Sequence, residues 1–128
     1  MAILLYDLVG QDGRRFSSNC CKTAYALAHK GLAFETVPTR FTDIAEIGDG
    51  AFKTIPVIRD GDRWVGDSWD IALYLEETYD DRPSVFGGPA GIEYARFYAS
   101  WNASRIHPLV MTMIVHDIYE RLDPADQP

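Results

Sequence analysis

The sequence predicts an α/β domain of β-α-β / β-β-α order, followed by a partial all-helical segment. Three observations predict it. Short apolar runs bracket a stretch of helical spacing before residue 40. An Asp-Gly turn separates two further apolar runs, and a clear helical pattern follows them. A break rich in glycine and proline, Gly87-Gly88-Pro89, then precedes apolar residues that have no strand period. The 128 residues leave room for one full domain and part of a second. An apolar fraction of 47% with 24% charged residues is enough to build a core and too hydrophobic for a disordered chain.

The elements follow in order. Residues 2–9 are apolar and rich in strand formers, which predicts a buried strand. Residues 10–15 form a polar, glycine-bearing loop. Ser17-Ser18-Asn19 then offers helix-capping oxygens. Cys20, Ala24, Leu27, Ala28 and Gly31 fall near helical spacing, with Lys22, His29 and Lys30 facing outward and Gly31 as a stop. Residues 32–40 alternate around Phe34 and Val37, a second strand parallel to the first. Residues 41–53 form a short helix or an irregular loop pinned by Ile44, Ile47 and Phe52. Asp60-Gly61-Asp62 between Val57-Ile58-Arg59 and Arg63-Trp64-Val65 predicts a hairpin. The next helix starts after Asp67-Ser68. Asp67 and Asp70 suit its first turn, Trp69, Ile71, Ala72, Leu75 and Tyr79 form the apolar face, and Glu76 and Glu77 face water. Residues 91–122 are helical, with a break or kink at His107-Pro108. Residues 123–128 look like an end with nothing to pack on. The division expected is residues 1–86 for the first domain and 87–128 for the start of a helical one.

A proline opening the third strand in this order matches a thioredoxin-like fold. Pro56 cannot donate to a ladder, so it belongs at a strand start. The Ile55–Pro56 bond can also be cis at modest cost, which would turn the preceding backbone amide and carbonyl toward an extended peptide. A simple loop-to-strand turn is the other reading of the same residues.

Phe16-Ser17-Ser18-Asn19-Cys20, His29-Lys30-Gly31-Leu32, Thr54-Ile55-Pro56-Val57 and residues 67–76 together resemble the glutathione transferase superfamily. The acidic-Ser-x-x-Ile-x-x-Tyr-Leu spacing from Asp67 to Leu75 carries much of the likeness. The first loop and Asp67-Ser68-Trp69 are most similar to the branch of bacterial β-aryl etherases and fungal relatives. The resemblance implies glutathione as cosubstrate. Ile55 would pair its backbone with the cysteinyl unit, and Asp67 and Ser68 would take the γ-glutamyl end at a helix N-terminus; Thr54, also a glutathione-binding candidate, is shorter than the polar residue the family often has there, and Lys53 would instead contact the glycyl carboxylate. Ser17 and Asn19 would donate to the thiolate, which a free thiol forms only near pH ~8.5. Ser17, Asn19, Asp67 and Ser68 can equally serve as helix caps, and Lys53 can be a solvated lysine.

Two departures matter. Ser17-Ser18-Asn19-Cys20 resembles a Cys-x-x-Cys redox motif that lacks its first cysteine, so a glutaredoxin-like reductase is the least favoured reading, and Cys20 reads as a small core residue. The family's helical second domain is also much longer than residues 87–128, so the chain is expected to be a truncated form of a longer enzyme. Phe97, Tyr98, Trp101, Met111 and Met113 would line part of the electrophile pocket or lie uncovered, which would favour a homodimer or a domain-swapped form of one.

The function expected is therefore thiolate attack by glutathione on a hydrophobic electrophile, an aryl ether among the candidates. The alternative is a non-catalytic glutathione-binding or protein-interaction module. A net charge of −7 without a basic stripe argues against nucleic acid and anionic membranes as partners. No apolar run approaches a membrane span of roughly 20 residues. Adjacent Cys20 and Cys21 suit a reducing compartment, and the histidines show no metal-ligand spacing with them. A cytoplasmic protein without a metal is expected.

Overall fold

The computed structural model describes residues 1–127. Strand β1 (Ile3–Leu8) buries Ile3 and Leu5 while Leu4 and Tyr6 are half-buried, the alternation of a strand covered unequally on its two faces. Helix α1 (Ser18–His29) ends in a glycine turn. Gly31 takes φ +67, the Leu32 N–H bonds the Leu27 carbonyl at 3.0 Å, and the Gly31 N–H bonds that of Ala28 at 3.0 Å. This pair of bonds closes the last helical turn in a conformation that suits glycine. Strand β2 (Phe34–Thr39) returns parallel to β1.

Phe41–Gly50 is a run of 3₁₀ turns broken at Ile47, Gly48 and Asp49, and Ile44 and Ile47 are its buried pins. Strands β3 (Val57–Asp60) and β4 (Arg63–Gly66) form the hairpin, with Gly61 at φ +60 in its turn. Helix α2 is Ser68–Thr78. The sheet order is β2-β1-β3-β4, with β3 antiparallel to both neighbours. The domain is thioredoxin-like. Ile3, Leu5, Ala26, Leu27, Ile58, Ile71 and Leu75 form the core that joins the sheet to α1 and α2.

The structure corrects the outward placement of Lys30 and Glu76. Lys30 is 1% exposed. Its Nζ donates to the Tyr79 carbonyl at 3.0 Å and lies 3.5 Å from a Glu76 carboxylate oxygen. Glu76 also accepts from the Val85 N–H at 2.7 Å and from the Ser84 hydroxyl. Helical spacing could not show this, because the partners come from another helix and a loop.

Helix α3 (Pro89–Trp101) does not break before Pro108. Asn102–Ile106 widens to a π-helical register, with the His107 N–H on the Asn102 carbonyl, and α4 (His107–Glu120) continues from there. Pro108 then lies in a first turn, where it needs no donor. The tail does pack. The Asp126 carboxylate accepts from the Phe41 and Thr42 N–H groups at 3.1 and 3.0 Å, and Asp123 accepts from Arg40 at 3.4 Å. Pro128 lies outside the described residues.

Candidate functional site

Strand register gathers the predicted residues at one end of the sheet. Tyr6 of β1 pairs with Val57 of β3, which pairs with Gly66 of β4. The residues that flank this row are Asp7, Ile55-Pro56 and Asp67-Ser68. Helix α1 begins at the same end, because Cys20 in its first turn meets the Leu8 backbone and the Asp7 side chain.

Ser17 is the cap of α1. Its Oγ accepts from the Cys20 N–H at 3.2 Å, so its hydroxyl proton is not used by the cap. Asn19 is exposed, and its Oδ1 accepts from Lys22 Nζ at 3.1 Å. Its amide nitrogen is not used in that bond. Cys20 is fully buried. Burial pushes its thiol up, against lowering bonds to Ser17 and the Leu8 backbone. It is therefore a core thiol and a poor nucleophile.

The Ile55–Pro56 peptide bond is cis. Pro56 is buried and Ile55 half-buried. The β1–β3 ladder begins at Val57, so Ile55 takes no part in it. Lys53 and Thr54 are exposed in the bend before it.

Asp67 caps α2. Its Oδ1 accepts from the Trp69 and Asp70 N–H groups at 2.9 and 3.3 Å. It does so at φ +69, an uncommon conformation for a residue with a side chain. Such outliers gather at ligand and active sites. Ser68 lines a cavity of about 360 Å³ with Lys22, Trp69 and Tyr98. Two helix N-termini, each able to favour an anion, thus flank the cis-proline turn.

Sequence reasoning passed over two features. Asp7 is buried at the end of β1, with the Arg15 guanidinium at 3.2 Å. Its only signal was a lone carboxylate inside an apolar run. A cavity of about 250 Å³ beside the first loop is lined by Arg14, Phe16, Ile114, Asp117, Ile118 and Arg121. Of the aromatic and methionine residues expected at an electrophile pocket, Tyr98 is exposed but lines the cavity at Ser68, Phe97, Trp101 and Met113 are exposed, and Met111 is half-buried. The end of α4 meets the first loop, so Ile114 and Ile118 come to that loop instead.

Among the described residues, no three His, Cys, Asp or Glu side chains are grouped to hold a metal ion, and no helix is long and apolar enough to cross a membrane.

Comparison with known proteins bears on the fold that holds these residues. The family model described as glutathione S-transferase, N-terminal domain, matches residues 16–78. A zeta-class glutathione S-transferase of Euphorbia esula is 31% identical over 121 residues, covering 88% of this chain and 52% of that protein. The chain thus spans about half the length of that curated relative. A glutathione S-transferase of Ceriporiopsis subvermispora, solved in complex with glutathione, superposes with a TM-score of 0.82 at 27% identity, covering 99% of this chain and 56% of that one. A glutathione transferase of Phanerochaete chrysosporium gives 0.83 at 29% identity, with coverage of 99% and 57%. Residues 16–78 are thus similar to the glutathione S-transferase N-terminal domain, and the whole described fold resembles the first half or so of the solved glutathione transferases.

Proposed function

We propose that the chain binds glutathione at this end of the sheet and activates its thiolate for attack on a hydrophobic electrophile. The convergence of the α1 cap, the turn at Pro56 and the α2 cap on one row of strand register carries the reading. Ile55 offers backbone groups outside the ladder to the cysteinyl unit. The N-terminus of α2, with Asp67 and Ser68, takes the γ-glutamyl carboxylate and ammonium. Lys53 and Thr54 serve the glycyl end.

The Ser17 hydroxyl, already oriented by its bond with the Cys20 amide, turns its proton from the Cys20 thiol to the glutathione sulfur, and Asn19 adds its amide nitrogen. Both bonds favour the thiolate and lower its pKa. In this reading residues 1–86 form the glutathione domain and residues 87–128 begin the helical one. The aryl-ether class of electrophile is suggested only by the pattern of the first loop and Asp67-Ser68-Trp69. The exposed apolar residues of α3 and α4 are covered in a homodimer.

Titration calorimetry with glutathione tests the premise, and absence of binding overturns it. Ser17→Ala should lower turnover of a generic aryl halide by about 100-fold while glutathione affinity changes little. It should also remove about 1 kcal/mol of stability through the lost cap. Unchanged turnover would leave Ser17 as a cap alone.

A further inference from the structure

On the other side of the sheet from the α1–α2 core, Tyr6 and Trp64 face the 3₁₀ segment Phe41–Gly50 across an open recess of about 640 Å³. That volume suits a small organic ligand. Its aromatic surface is Tyr6, Trp64 and Phe52, with Trp64 5.6 Å from Tyr6 and 6.2 Å from Phe52 between ring centroids. Phe52 is held in place from both sides. A side-chain carbon on Gly48 or Gly66 would come within 2.9 or 2.7 Å of its ring.

The charged residues of the lining are all acidic: Asp43, Glu46 and Asp49. Asp43 is already neutralised by the Arg40 guanidinium, at 3.1 and 3.2 Å. Glu46 and Asp49 are exposed at the opening. Asp49 stands at φ +58 in the stretch where Phe41–Gly50 leaves helical dihedrals. Backbone of this kind gathers at binding sites. Arg59, which does not line the recess, stacks over Trp64 at 5.4 Å, so one cation already shares this ring and a ligand must take the side that faces the recess.

We infer that this recess is a binding site for a small organic cation, an ammonium with an apolar body, held between the aromatic rings and the Glu46 and Asp49 carboxylates. Aromatic faces attract a cation through their quadrupole, and the attraction grows when water is excluded. The acidic rim adds attraction of the same sign and disfavours anions. An anionic tripeptide such as glutathione has no complement here, and the inference does not rest on the glutathione reading.

The test is a titration of the full chain with choline and with its neutral carbon isostere, followed by heteronuclear NMR at the Trp64 indole. Choline is expected to shift the Trp64 signal. The isostere should bind about tenfold more weakly, the discrimination expected of a cation–π site. The double variant Glu46→Gln/Asp49→Asn should weaken choline by a similar factor without altering the thermal midpoint. Asparagine tolerates the positive φ at position 49, so the fold should be kept. Equal binding of the isostere, an unmoved Trp64 signal, or unchanged affinity in the double variant would each overturn the inference. The isostere comparison uses the unaltered chain and holds whatever the variant does.

Discussion

Asp60 Oδ2 accepts hydrogen bonds from two phenols, Tyr74 at 2.9 Å and Tyr79 at 2.6 Å. The hairpin turn is thereby fastened to α2 and its C-terminal cap. Burial, followed by the bond to Asp60 and its charge, pushes the Tyr79 phenol up from 10.0 to about 12. A phenol that keeps its proton longer in the folded chain adds stability that is complete below pH 10 and is lost as pH rises toward 12. Asp60→Asn should return the Tyr79 titration toward its ordinary value, read as phenolate absorbance. It should also cost about 1.5–3 kcal/mol, the range for bonds to a charged acceptor. An unchanged absorbance titration would mean that Asp60 does not hold the phenol. At this scale the sequence also marked Ser17, Ile55 and Asp67 by residue type. It had no means of marking Asp60 as an acceptor for two tyrosines, because those bonds span 14 and 19 positions.

At the scale of elements, α1 is joined to α2 by Lys30 and Glu76. The Lys30 side chain has no exposure, whereas Glu76 retains some. Burial pushes the Glu76 carboxyl up, but bonds from Ser84 and the Val85 N–H, with the Lys30 ammonium, outweigh it and hold the group below its ordinary 4.5. A depressed carboxyl contributes stability that is present above about pH 4.5 and is lost as pH falls through the folded value. Urea unfolding should therefore show a loss of stability below that pH that is missing in Glu76→Gln. Glu76→Ala at neutral pH should cost about 3 kcal/mol, because it leaves the ammonium buried without its carboxylate. Replacing Lys30 by methionine in the same chain should recover part of that loss. If the double variant is no better than Glu76→Ala, the buried charge is not the cause. Glycine made the turns at Gly31 and Gly61 legible in advance, since it acts through local backbone freedom. The inward turn of Lys30 was not legible, because spacing within one helix carries no information about what the next helix brings.

At the scale of the whole molecule, the helical segment rejoins the α/β domain through its own end. The Gln11 N–H bonds the Arg121 carbonyl at 2.9 Å, and Gln11 Nε2 bonds that of Glu120 at 2.8 Å. Gly10 sits directly against this joint, where an added Cβ would stand 2.2 Å from the Arg121 oxygen. Gly10→Ala should push the end of α4 away while sparing the sheet. Hydrogen exchange should then speed up in α4 and in Phe41–Gly50, which Asp126 holds from the same tail, and change little in β1 and β3. Equal exchange throughout would mean that the joint absorbs the methyl group.

The sequence by itself determined the order of elements, the strand-opening proline and the two capped helix starts, because each is written in nearest-neighbour chemistry and short periods. Tertiary structure alone decided that these three local signals come together at one end of the sheet. It also turned Lys30 inward, kept the chain helical through Pro108 and tied the acidic tail to Arg40, Phe41 and Thr42. The physical reason is range. Caps, turns and periodicity are settled within a few residues, whereas a buried ion pair or an occupied helix end depends on partners that only folding brings within hydrogen-bond distance.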